Sequence, residues 1–223
     1  MPSITHVIFD VDGLLLDTEP LIAAIASTIA GRYGKTLDQE TLSLTAGRNA
    51  QDSAQILVDR LALPLTCEDY LAEKAALVPQ MYPKAEAKPG ARQLVEHLRI
   101  HGIPQAIATS SSQQHFDLKK RHHPWMNLFS CVVTGEDPEL AAGKPAPDIF
   151  LLAAQRLGAS PDSCLVMEDS LAGVTAARAA DMAVVAVPEL PEFTAQYSAA
   201  DQVLTSLLEF KPSSWRLPPY KQD

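Results

Sequence analysis

Short apolar runs rich in β-branched residues, at 6–9, 104–108, 131–133, 164–167, 183–187 and 202–204, alternate with helical patterns at 90–101, 113–122, 147–157 and 171–180. This alternation constrains the fold more than any other feature of the chain. A helix of that length between two strands returns the chain to the same edge of the sheet, so βαβ units and parallel strands follow. The runs lack polar alternation, as strands covered on both faces do. The expectation is an α/β chain built on an open, doubly wound, Rossmann-like parallel sheet.

One interval breaks the rhythm. Between residues 20 and 88 no convincing strand occurs, only helical segments of about four turns or fewer separated by turn signals. The first has Pro20 at its N1 position after Asp17 and Thr18 as cap candidates, carries Leu21, Ile22, Ile25 and Ile29 on one face, and ends near Gly31 or Gly34. Asn49 with Asp52, and Thr66 with Asp69, resemble capping boxes that open two more helices. An all-helical insert after the first strand reads as a second, smaller domain. Residues 1–17 and 89–223 would form the α/β core, and 18–88 would sit over the carboxyl edge of the sheet. The Pro-rich stretch after Phe210 reads as irregular.

Charge and cysteines narrow the function. A chain of 223 residues buries a core without disulfides. Its net charge of −9, with 18 Lys+Arg against 27 Asp+Glu, repels polyphosphate and argues against a nucleic-acid partner. Cys67, Cys131 and Cys164 are odd in number, lack a CxxC spacing and sit beside apolar residues as buried thiols do, which suits the cytoplasm. The N-terminal run lacks the basic and long apolar regions of a signal peptide, and no apolar stretch reaches the roughly 18–20 residues of a membrane span. No membrane association is expected, and a monomer or weak homodimer is.

The polar residues at the strand ends carry the chemistry. Asp10 and Asp12 follow the first strand, and residues two apart on an extended segment point to the same side, so both converge beyond the strand end. Thr109 and Ser110 end the 104–108 run where backbone N–H groups open the next helix, a ready anion site. Glu168 and Asp169 end the 164–167 run, and Lys144 lies in the loop before a helix. Taken singly, each has a structural reading as a cap or a solvated residue. Together they gather at one edge of one sheet. Two like charges about 4 Å apart at an effective dielectric near 20 repel by roughly 4 kcal/mol, so the acids imply a divalent cation. All the ligands are oxygens, which points to Mg²⁺ rather than zinc, and Mg²⁺ with Lys and Thr beside it neutralises phosphoryl oxygens.

In the order DVDG, ATSS, GKPAPDIF and MEDSLAGV, these segments resemble the four signatures of the haloacid dehalogenase-like hydrolases. HGIP, GEDPE and the ending VLTSLLEF followed by LPPY are similar to the pseudouridine-5′-phosphate phosphatase group across nearly the whole length. The resemblance implies a helical cap and a phosphomonoesterase acting on a small phosphorylated metabolite. It implies Asp10 as the nucleophile that becomes an aspartyl phosphate, and Asp12 as acid and then base. It implies Mg²⁺ on the Asp10 carboxylate, the Asp12 carbonyl and Asp169, with Glu168 through water, and the phosphoryl oxygens on Thr109, the Ser110 N–H and Lys144.

Two departures bear on this. Members commonly carry Gly after the Ala-Ala that follows the fourth signature, and here Asp181 stands there. Mutases of the β-phosphoglucomutase type carry a His where this chain has Ile22, which argues for hydrolysis over mutase chemistry. Asp12, in turn, argues against dehalogenation. A phospho-accepting receiver-type module is the alternative of another class, disfavoured by chain length, by the order of the acids and by the helical insert. Arg48, after Gly47, is placed to reach into the cleft for the organic part of a substrate. His115, His122 and His123 read as surface residues rather than ligands, because the adjacent pair points apart on a helix.

Overall fold

A computed structural model describes residues 4–45, 48–188 and 191–220. Gly47 therefore lies outside the described residues. The strands are β1 (His6–Phe9), β2 (Leu16–Asp17), β3 (Glu86–Ala87), β4 (Gln105–Thr109), β5 (Cys131–Thr134), β6 (Cys164–Glu168), β7 (Ala183–Ala186) and β8 (Gln202–Val203). Six of them form one sheet in the order β5-β4-β1-β6-β7-β8, every adjacent pair parallel. β1 lies at the centre, with Phe9 level with Ile107 on one side and Met167 on the other. The connections leave β1 toward both halves of the sheet, and that reversal opens a crevice at the carboxyl ends of the strands.

Period-two alternation splits the sheet residues between two cores. Val7, Phe9, Ile107 and Met167 pack on one face with Leu94, Val95 and Leu98 of α5 (Ala91–Ile100) and Phe116 of α6 (Gln113–Lys120). Ile8, Ala106, Ala108 and Val166 pack on the other with Phe150 of α7 (Asp148–Leu157) and Val174 and Ala177 of α8 (Leu171–Ala179). Covering both faces is what lets these strands dispense with polar alternation. The α/β reading of the sequence holds.

The helical interval contains α1 (Glu19–Arg32), α2 (Gln39–Ser43), α3 (Ala50–Arg60) and α4 (Cys67–Met81). Ile25, Ile29, Leu57, Tyr70 and Val78 give these helices a core of their own. Thr66 and Asp69 form the reciprocal capping box, and Asn49 accepts from the Asp52 N–H at 2.8 Å. Two features differ from expectation. β3 falls inside the interval read as strandless, pairing antiparallel with β2 where the chain leaves and regains the sheet. A strand of two residues has no periodicity to read. α2, capped by Asp38, is likewise too short for an amphipathic signature.

The segment after Phe210 is also more ordered than expected, since a 3₁₀ turn over Pro212–Trp215 buries Trp215 and, just beyond, Leu217. Asp181 takes φ +58° just past α8, the left-handed position that glycine holds at many helix ends, and it is exposed. Of the cysteines only Cys164 is buried; Cys67 and Cys131 are half-buried, and all three are free. No helix among the described residues is long and apolar enough to cross a membrane.

Candidate active site

The central strands bring their terminal acids together. Asp10 follows β1 and is tied to β6 by its own N–H, which donates to the Met167 carbonyl at 3.0 Å. Glu168 ends β6 and Asp169 follows it. Asp10, Glu168 and Asp169 are all buried, with carboxylate oxygens within 4.8 Å of one another. Lys144 enters from the loop before α7, itself buried, and donates to Asp10 Oδ1 and Glu168 Oε1 at 2.6 Å each and to the Ala108 carbonyl at 3.1 Å.

The other oxygen of Glu168 faces the start of α8. It accepts from the N–H groups of Asp169 and Ser170 and from the Ser170 hydroxyl, each at 2.9 Å. Two glycines make room for these acids. A Cβ on Gly173 would lie 1.8 Å from Glu168 Oε1, and one on Gly13, at φ +82°, would lie 2.1 Å from Asp169 Oδ2. Here glycine is required by close approach, and at Gly13 by backbone conformation as well.

One ammonium among three buried carboxyls leaves negative charge in excess. Burial pushes the Asp10 carboxyl up to about 7, with Glu168 and Asp12 adding to the rise and Lys144 opposing it. Asp169 is raised well above the ordinary range, chiefly by burial and then by Glu168 and Asp10. Burial works against the Lys144 charge, yet Asp10 and Glu168 hold its pKa above the usual value. A set of oxygen donors with surplus negative charge fits a hard divalent cation such as Mg²⁺.

Asp12 stands apart from that cluster. Lys119 of α6, fully buried, donates to Asp12 Oδ1 at 2.7 Å and Oδ2 at 2.6 Å, and its third contact is the Ser111 hydroxyl at 2.7 Å. Ser111 donates in turn to Asp12 Oδ2 at 2.8 Å, and Thr109 Oγ1 lies 3.4 Å from the same oxygen. Burial alone would raise the Asp12 carboxyl, but Lys119 and the hydroxyls bring it below its usual value. Sequence reasoning missed Lys119. Its signal is a lysine three residues after Phe116, on the buried stripe of α6.

A cavity separates this sheet edge from the helices. Asp10, Asp12 and Ser110–Ser112 line one side, and Ile22, Ser53, Tyr70 and Lys74 line the other. Arg48 reaches the cavity wall but is exposed, and its Nε donates to the Leu44 carbonyl at 2.9 Å. Lys74, half-buried on α4, has no hydrogen bond or ion pair among the described residues, and burial lowers its pKa. His115 is not a surface residue: it lines the cavity, edge-on to Tyr82 at 5.3 Å, and burial brings it down to about 4, so it is neutral at pH 7. His122 is exposed, and His123 Nε2 lies 2.8 Å from the Ala85 carbonyl, so the three do not converge.

Comparison with known proteins agrees with this geometry. A family model described as haloacid dehalogenase-like hydrolase matches residues 7–187. The chain is 43% identical to (DL)-glycerol-3-phosphatase 2 of Arabidopsis thaliana, across 98% of this chain and 94% of that protein. It is 41% identical to a Drosophila melanogaster protein named "Probable pseudouridine-5'-phosphatase", across 98% and 96%. Among solved structures it superposes on CbbY from Rhodobacter sphaeroides in complex with phosphate, with a TM-score of 0.76 and 26% identity over 92% of this chain and 96% of that one. By the family match, by these relatives and by the acids at the sheet edge, the chain belongs to the haloacid dehalogenase-like hydrolases.

Proposed function

We propose that the chain is a Mg²⁺-dependent phosphatase for a small phosphomonoester, working through an aspartyl phosphate on Asp10. The observation that carries this reading is the division of labour between two aspartates two residues apart. Asp10 sits in the acidic cluster against Lys144, and Asp12 sits beside it on a separate lysine, both opening on one cavity. An Asp10 oxygen attacks phosphorus in line with the bond to the leaving oxygen. That bond breaks as the new one forms, and Asp12, which must first take up a proton from solvent against the pull of Lys119, gives it to the departing alkoxide. Asp12, now a carboxylate, takes a proton from water as the water oxygen displaces Asp10 from phosphorus.

Asp10, Asp169, the Asp12 carbonyl and, through water, Glu168 would hold Mg²⁺, which supplies charge neutralisation to the phosphoryl oxygens. Thr109, the Ser110 N–H and Lys144 serve the same oxygens. Residues 18–88 act as a cap over the site. Their helices form the far wall of the cavity, which supports a role in selecting the leaving group and excluding water.

Ile22 lines the cavity where a mutase has its His, which favours hydrolysis over phosphoryl transfer between sugars. The relatives' names support a glycerol phosphate, pseudouridine 5′-phosphate or a sugar phosphate as substrate, and the three free thiols suit a cytoplasmic enzyme. The experiment is a panel of these phosphomonoesters assayed for released phosphate with Mg²⁺ and with excess EDTA. Turnover of at least one, abolished by EDTA, is expected. No turnover of any, or undiminished turnover in EDTA, contradicts the reading.

A further inference from the structure

Lys119 is a fully buried lysine to which the reaction just described gives no part. Its ammonium has three N–H donors, and all three are engaged: one on each oxygen of Asp12 and one on Ser111 Oγ. The Tyr82 ring, from the turn that follows α4, lies 5.1 Å from Nζ and covers it. Burying a charge at this position costs more than burying a methionine or leucine of similar size. The compensation is local, because the ion pair is made to one residue, Asp12.

The pattern of donors also distinguishes the two oxygens of Asp12. Oδ2 receives Lys119, Ser111 and the longer Thr109 contact, whereas among the described residues Oδ1 has its one placed hydrogen bond from Lys119 and keeps capacity for another partner. The carboxylate is therefore clamped through one oxygen and left open at the other, beside the cavity that Asp12 lines.

We infer that Lys119 is a positioning residue for the second half of the reaction, holding Asp12 as an oriented carboxylate whose Oδ1 takes the proton of the attacking water. In that step Oδ1 gains the proton, the water oxygen bonds to phosphorus, the Asp10–phosphorus bond breaks, and its electron pair returns to the Asp10 carboxylate. Lys119 touches neither water nor phosphorus. The inference rests on the reading of Asp12 as base, and the experiment separates the two.

The probe is 4-nitrophenyl phosphate, whose leaving group needs no proton, so loss of Asp12 function falls on the water step alone. Lys119→Met is expected to lower kcat about 100-fold, within the range of one acid–base group. It should also produce a burst of one nitrophenolate per enzyme with phosphorylated Asp10 accumulating. Lys119→Arg keeps the charge in a different fork. It should show the same burst with a smaller fall in kcat, and it carries the test alone if the methionine variant does not fold. A fall in kcat without a burst, as a general structural role would give, overturns the inference, and so does an unchanged kcat. Asp12→Asn serves as the reference. A burst in Asp12→Asn but not in the Lys119 variants removes the inference only, whereas no burst in Asp12→Asn removes the reading of Asp12 as base.

Discussion

On the sheet side of the cavity the lysines are fully engaged: Lys144 by Asp10, Glu168 and the Ala108 carbonyl, Lys119 by Asp12 and Ser111. On the helical side Lys74 has no ion pair among the described residues, and Arg48 uses only Nε, on a carbonyl of its own segment. The sheet side pairs each lysine with carboxylates and still carries negative charge in excess. The helical side presents Lys74 and Arg48 to the cavity with no ion pair among the described residues. On the proposed function, chemistry falls to the strand ends and selectivity to the helices, which have a core of their own.

The comparison breaks most visibly if the sheet side tolerates crowding. Gly173→Ala would drive a Cβ into the Glu168 carboxylate, which must then release Lys144 or the start of α8. A loss of about 1–3 kcal/mol in stability is expected from overpacking, together with a fall in kcat of about 100-fold from displaced catalytic groups. Wild-type kcat and melting temperature in this variant would show that the carboxylate positions are not critical.

A second test concerns the surplus charge. Without metal, burial pushes the Asp10 carboxyl up to about 7 in the folded protein, against about 3.8 in the unfolded chain. Over that window the folded state holds the additional proton, so stability falls as pH rises through it. The melting temperature of the metal-free protein should therefore decline from about pH 5 to about pH 7.5. Asp12, whose pKa is lowered, contributes the opposite slope only below the window. Added Mg²⁺ binds the carboxylate forms and should raise the melting temperature more at the higher pH. A melting temperature in EDTA that rises over this range would contradict the account of the cluster.

The helical side should respond more gently and in a substrate-dependent way. Lys74→Met should lower kcat/KM for the preferred alkyl phosphate about 10- to 100-fold, the loss of one charge-assisted hydrogen bond, and change 4-nitrophenyl phosphate hydrolysis far less. Arg48→Ala should cost less than about tenfold, because an exposed guanidinium is solvated with or without substrate. Equal losses on both phosphates would place Lys74 with the sheet-side machinery instead.

The same contrast explains what could be read from the residues alone. Asp10, Thr109, Glu168 and Asp169 lie at or just past the ends of short apolar runs, and strand ends of a parallel sheet converge, so their meeting follows from topology. Lys144 could be recognised only by its motif, since nothing in a loop lysine announces that it is buried. Lys119 was hidden because a lysine in an amphipathic helix is ordinarily solvated, and only its partner Asp12, 107 residues away, explains its burial. Arg48 stood out for its place at a helix start, whereas nothing in the sequence singled out Lys74, because exposure depends on how the helices pack. Neither β2 nor β3 was legible, because their pairing is set by the closure of the helical interval rather than by local pattern.

The central claim is that phosphorus passes through Asp10. The direct measurement is to quench the enzyme during turnover of 4-nitrophenyl phosphate, reduce it with borohydride, which converts an aspartyl phosphate to homoserine, and map the modified residue by peptide mass spectrometry. The account predicts homoserine at position 10 in turning-over enzyme and none in Asp10→Asn or in enzyme without substrate. An active enzyme that yields homoserine at another aspartate, or at none even in the Lys119→Met variant, would contradict it.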